Sequence, residues 1–170
     1  MTTIHFKGLN GMRAIAAITV IIAHINIHLN LFGLELLATS DLAGFGVSIF
    51  FTLSGFLITY LLLKEQEQFN RINIAKFYIR RALRIWPLYF FYIVLVLLIV
   101  RPNFTPNVLG EYLVFAPNIP YVFSSEIKFI GHYWSLGVEE QFYFFWPLFF
   151  LFSKNLQRSV FVFLVAFMGL

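Results

Sequence analysis

A chain of 170 residues has the length of one soluble domain, yet 60% of its residues are hydrophobic and only 12% are charged. Globular domains carry about twice that charged fraction, so a soluble fold is excluded and a membrane protein with several spans is expected. The net charge of +4 is not a nucleic-acid signal, and the absence of cysteine excludes disulfide frameworks and thiolate metal sites.

The first apolar run covers about residues 13–32. It continues through ITVIIAHINIHL without a small-residue cleavage pattern, so it reads as a retained span in place of a signal peptide. The second, about 45–63, is FGVSIFFTLSGFLITYLLL. The third, about 86–100, is WPLYFFYIVLVLLIV, with Pro87 expected in a first helical turn, where its missing N–H is tolerated. Residues 101–132 read as an outer segment whose VLGEYLVFA stretch forms a short re-entrant or interfacial helix; a full span there would invert the span that follows. The fourth run, about 133–153, is expected to kink at Pro147, which cannot donate a backbone hydrogen bond. A last run, VFVFLVAFMGL over 160–170, has eleven residues of the about 20 that a helix needs to cross hydrocarbon. The expected fold is all-α, a multi-span transmembrane helical bundle of four spans and a partial fifth.

Basic residues set the orientation. Lys7 and Arg13 precede the first span, six lie between Lys64 and Arg84, and Lys154 and Arg158 follow the fourth. With the N-terminus in the cytoplasm, ten of the twelve basic residues fall inside and only Arg101 and Lys128 fall outside. The expected location is the inner or plasma membrane, crossed several times.

An ionisable group inside a span costs about 2.5–3.5 kcal/mol on insertion scales, so it is usually kept for a role. Arg13 and His24 are eleven positions apart, almost three helical turns, which puts them on one face about 16 Å apart. Ser54 would lie about 14 Å into the second span, and Glu139 about 9 Å into the fourth. The three spans thus carry polar groups to a similar depth. Each residue has two readings. His24 is either a histidine bonded to a neighbouring helix or a catalytic base. His28, one turn on, makes a poor zinc pair with it, since no cysteine or placed carboxylate joins them; no metal is expected. Ser54 with Gly55 reads as a close helix contact or as a nucleophile, without a G-x-S-x-G elbow. Ser135 and Glu139, four apart, share a helix face that the adjacent Glu140 cannot share. The cluster FYIRRALRIWP serves either as a headgroup anchor or as a phosphate site in which Arg81 and Arg84 share a face.

Four stretches in order resemble the acyltransferase family 3 of integral membrane proteins: GLNGMRAIAAITVIIAH, GVSIFFTLSGFLIT, FYIRRALRIWPLYF and HYWSLGVEEQFYFFWPL. The resemblance covers nearly the whole chain. It implies an O-acyltransferase that moves an acyl group, commonly acetyl, from acetyl-coenzyme A or another acyl-coenzyme A onto a hydroxyl of a carbohydrate such as an envelope polysaccharide. Residue by residue, it implies His24 as the catalytic histidine with Arg13 as its basic partner, Arg81 and Arg84 at the donor, Ser54 in the second-span motif, and Ser135 and Glu139 in the fourth. It also implies about ten spans, so residues 1–170 read as the N-terminal part of such a domain, with the other helices on further sequence or a second chain and no transfer expected of these residues alone. The rival readings are a non-catalytic membrane fragment and a transporter-like bundle whose polar groups line a path; the latter predicts broken helices near the His24 depth.

Overall fold

The computed structural model of the chain describes residues 8–30 and 42–152. Its helices are α1 (Leu9–Asn30), α2 (Leu42–Phe69), α3 (Ile74–Ile99), α4 (Pro106–Leu113), α5 (Asn118–Val122) and α6 (Tyr133–Phe152), with no strand among the described residues. They belong to two compact units divided between Lys64 and Glu65.

Three helices, α1, α2 and α3, are long and apolar enough to cross a membrane. The 28 residues of α2 and the 26 of α3 rise about 42 and 39 Å, more than the about 30 Å of a hydrocarbon core. Their outward faces are apolar: Ile15, Ile18 and Ile22 on α1, Leu88, Phe91 and Leu98 on α3 are all exposed. In water such faces would be a liability; against lipid they carry no cost. The stretch expected as a fourth span forms a helix, α6, 20 residues long, but Glu139, Glu140 and Gln141 in one turn lower its apolarity and it is not among the three. The expected partial fifth span lies outside the described residues.

In the first unit, α1 and α2 meet at a glycine. A Cβ on Gly46 would stand 2.6 Å from Thr19 Oγ1, 2.7 Å from Val20 Cγ2 and 2.8 Å from the Ala16 carbonyl oxygen. A close helix contact of the kind weighed for Ser54 and Gly55 is thus present at Gly46. Hydroxyls along these helices return to their own backbone: Thr19 donates to Ala16 O, Ser48 to Gly44 O, Thr52 to Ser48 O and Thr59 to Gly55 O. Replacing Gly46 by Ala should destabilise the protein by about 1–3 kcal/mol, because the backbone oxygen of Ala16 cannot step aside as a side chain can. A fall in the detergent-solution melting temperature would show it, and an unchanged melt would mean that the two helices separate freely.

In the second unit, α3 begins twelve residues before the expected start of its apolar run. Asn73 caps it, its side chain accepting from Lys76 N at 2.9 Å. Arginine is a good helix former, so the basic cluster is the first part of this helix. Pro87 consequently sits in the helix interior and not in a first turn.

Segment 101–132 contains the short helix expected of it. Pro106 opens α4, which is eight residues long, about 12 Å and far too short to span. It runs back along α3. The Tyr89 hydroxyl donates to Tyr112 O at 2.8 Å, and the Phe115 ring lies 4.7 Å from that of Tyr89 and 5.2 Å from that of Trp86. Tyr89 is ten residues before Ile99, so the segment descends about 15 Å below the end of α3. Tyr112 and Ile130 are fully buried there, and the Tyr112 hydroxyl donates to Ile130 O.

Helix α6 starts at that lower level. Its first residue, Tyr133, stacks on Tyr89 with centroids 4.7 Å apart and donates to Tyr89 O. From there α6 runs antiparallel to α3, so that Phe144 O accepts from the Tyr78 hydroxyl at 2.6 Å. A Cβ on Gly137 would stand 2.6 Å from Pro117 Cδ, which shows how closely α6 meets the descending segment. Helix α6 continues through the buried Pro147.

Candidate functional site

The residues singled out from sequence lie in both units. In the first, α1 runs unbroken through Arg13 and His24, so the one-face geometry expected of them holds along a continuous helix. Both are half-buried. His24 Nδ1 lies 2.8 Å from Val20 O. A carbonyl oxygen only accepts, so Nδ1 carries the hydrogen, and the neutral ring has its lone pair on Nε2. That is the tautomer a base needs. Ser54 is half-buried in α2.

In the second unit, α3, α6 and the descending segment enclose a cavity of about 730 Å³. Arg81 lines it; Arg84 does not and is exposed. The two arginines therefore share a helix, and of the two only Arg81 borders this cavity. The guanidinium carbon of Arg81 lies 3.3 Å from the ring centroid of Tyr143, a cation–π contact. The Tyr143 hydroxyl donates to Glu139 Oε1, one turn back on α6. Arg81, Tyr143 and Glu139 are thus joined in series, although only the outer two were picked out from sequence. Glu140 lines the cavity, and its Oε2 accepts from Trp86 Nε1 at 3.0 Å. Ser135 donates to His132 O in the first turn of α6, away from these contacts.

These contacts revise the depth expected for Glu139. Counting from an outer surface at residue 133 places it about 9 Å inside that surface. Since α6 begins part-way down α3, Glu139 and Glu140 are level with the arginine-bearing stretch of α3 instead.

Residues 6–170 match the family described as an acyltransferase domain. The chain belongs to acyltransferase family 3. It is also similar to the O-acetyltransferase OatA of Staphylococcus aureus strain NCTC 8325 / PS 47, with 31% identity over an alignment of 186 residues that covers 98% of this chain and 29% of the relative. The peptidoglycan O-acetyltransferase OatA of Listeria monocytogenes is 32% identical over 162 residues, covering 86% of this chain and 24% of the relative. The chain therefore spans between about a quarter and three-tenths of these relatives. No solved structure matches it.

Sequence reasoning missed Tyr143 and Trp86, and it set Glu140 aside. A signal was present for the first. Glu139 and Tyr143 are four apart, the spacing at which helix side chains meet, and WSLGVEEQFYFFWP contains both. No comparable signal existed for Trp86 and Glu140, 54 residues apart, because their meeting depends on where α6 starts. Among the described residues no group of three metal-ligating side chains occurs.

Proposed function

We infer that the chain carries catalytic motifs of a membrane O-acyltransferase that moves an acetyl group from an acyl-coenzyme A to a hydroxyl of an envelope polysaccharide. Peptidoglycan is the acceptor favoured by the name of the Listeria relative. The observation that carries the reading is the family match over residues 6–170, with a resemblance that gives His24 the catalytic role; its Nδ1 lies 2.8 Å from Val20 O. His24 Nε2 would take the proton of the acceptor hydroxyl as its oxygen attacks the thioester carbon, and return it to the departing thiolate. Arg13, on the same helix face, supports charge at the site. Glu139, held by Tyr143, is the second catalytic group. Arg81 and Arg84 meet the donor's phosphates, and Ser54 and Ser135 contribute to substrate binding. The N-terminus and the basic 64–84 stretch face the cytoplasm, and α6 is a fourth span.

The test is chemical. Cells making the full-length protein should carry base-labile acetyl esters on their peptidoglycan, and membranes from them should pass labelled acetyl from acetyl-coenzyme A to it. Deleting the gene should remove both signals. Ester content unchanged by deletion would overturn the acceptor, while esters that persist without transfer from acetyl-coenzyme A would overturn the donor. Arg81→Ala together with Arg84→Ala should weaken donor binding at least about tenfold, since a charge-assisted hydrogen bond contributes about 1.5–3 kcal/mol.

A further inference from the structure

Helix α4 ends against α6 in a conformation that its sequence does not favour. The Ala116 N–H reaches back to Glu111 O at 2.7 Å and the Phe115 N–H to Tyr112 O at 3.3 Å. These are the paired bonds of a helix end whose first residue past the cap turns left-handed, a place usually given to glycine. Here it is Phe115, at a φ of 58°. A bulky side chain at positive φ is strained, and such a residue persists only where its surroundings hold it. Two contacts with α6 do so. Gln141 Nε2 donates to Phe115 O at 3.0 Å and to Asn118 Oδ1 at 2.9 Å. One turn earlier, a Cβ on Gly137 would meet Pro117 Cδ at 2.6 Å and Phe115 O at 3.2 Å, so the glycine is what lets the segment come this close. The same segment is a wall of the cavity. Val114 and Phe115 line it, and the Phe115 ring lies 5.2 Å from that of Trp86, which lines it too.

We propose that residues 114–118 form a gate on this cavity, latched by Gln141 and loaded by the backbone strain at Phe115. The bonds to Glu111 and Tyr112 stay within the end of α4, so they do not tie the segment to α6. The Gln141 amide does. Its two bonds are neutral, and each shifts an equilibrium by a factor of about two to ten. Ring contacts of Phe115 with Tyr89 and Phe90, 4.7 and 5.5 Å away, also favour the closed form, and the strain opposes both. When the amide lets go, Phe115 relaxes to negative φ, its ring leaves Trp86 and the cavity opens on that side. The gate goes beyond the acyl-transfer reading: it concerns access to the cavity and is read out without activity.

The test uses the full-length protein in detergent and the rate at which N-ethylmaleimide reaches the cavity wall. Residues 1–170 have no cysteine, so Ala82→Cys adds one reporter to that wall, and labelling is read on the peptide that carries it. The rate follows the fraction of molecules that are locally open. Gln141→Leu loses both amide bonds and should raise it at least about fivefold. Asn118→Leu loses one of them and should raise it less. Gly137→Ala, which forces Pro117 away from α6 and leaves the Gln141 side chain in place, should raise it as well. A second reporter, Val96→Cys, lies in the buried cluster around Tyr89 and Tyr112 and should stay slow in every variant. An unchanged rate at residue 82 in Gln141→Leu or in Gly137→Ala would overturn the gate, as would a larger rise in Asn118→Leu than in Gln141→Leu. So would a parallel rise at residues 82 and 96, which would show that the substitutions loosen the whole unit.

Discussion

His24→Ala should abolish acyl transfer while leaving the protein in the membrane. Loss of a general base costs about 10² to 10⁴ in rate, and if the histidine also carries the acyl group the loss is complete. The structure adds a reason why insertion survives. His24 is half-buried and its Nδ1 hydrogen bond is made to the carbonyl four residues back in its own helix, so that bond is not one that ties two helices together. The carbonyl of Val20 keeps its place in the helix. His24→Asn is the informative companion, since it provides a polar side chain but no group that titrates near neutrality. Both variants should match the wild type in membrane-fraction yield and differ from it in ester formation. Near-normal transfer by His24→Ala would remove the histidine mechanism outright. Loss of transfer together with loss of protein would return His24 to the other reading, a histidine that packs.

The helices that were legible in the sequence are those whose whole length is apolar. Residues 13–30 lie in α1 and 45–63 in α2, helices that also take in residues 9–12, 42–44 and 64–69, while residues 31 and 32 lie outside the described residues. The Arg13–His24 spacing was legible because it needs only the pitch of one helix. Helix α3 was read short because hydropathy stops at the arginines, whereas helix formation does not: Arg80, Arg81 and Arg84 all stay in the helix. What stayed hidden was the packing of segment 101–132. The short helix expected over VLGEYLVFA is present as α4, but nothing in the sequence pattern showed that Tyr112, Ile127 and Ile130 are fully buried against α3. That burial draws the chain back down α3, so α6 starts lower than a surface count puts it. Everything that depends on that start was displaced with it, including the partner of Glu140 and the level of Glu139.

Within the second unit the residue with the largest untested consequence is Tyr143. It is buried, its ring lies under Arg81, and its hydroxyl holds Glu139. The two carboxylates can therefore be separated by experiment. Glu139→Gln keeps shape and a hydrogen bond to Tyr143 but removes the charge; it should lower transfer by at least about 10²-fold if that charge orients or charges the histidine. Tyr143→Phe removes only the hydroxyl and leaves the ring for Arg81. A hydrogen bond to a charged group contributes about 1.5–3 kcal/mol, so transfer should fall about 10- to 150-fold if Glu139 must be held in place. The affinity for the acyl donor should then be unchanged, because the cation–π contact of Arg81 survives. Tyr143→Leu loses both contacts and should lower donor affinity as well as rate. Glu140→Gln, by contrast, should leave the rate within a few-fold of wild type, because Glu140 points to Trp86 and lies about 100° round the helix from Glu139. The measurements are ester formation against donor concentration for the four variants, each normalised to protein in the membrane. A Tyr143→Phe protein with wild-type rate would show that Glu139 acts without being held, and a Glu140→Gln effect larger than that of Glu139→Gln would move the catalytic carboxylate to the cavity.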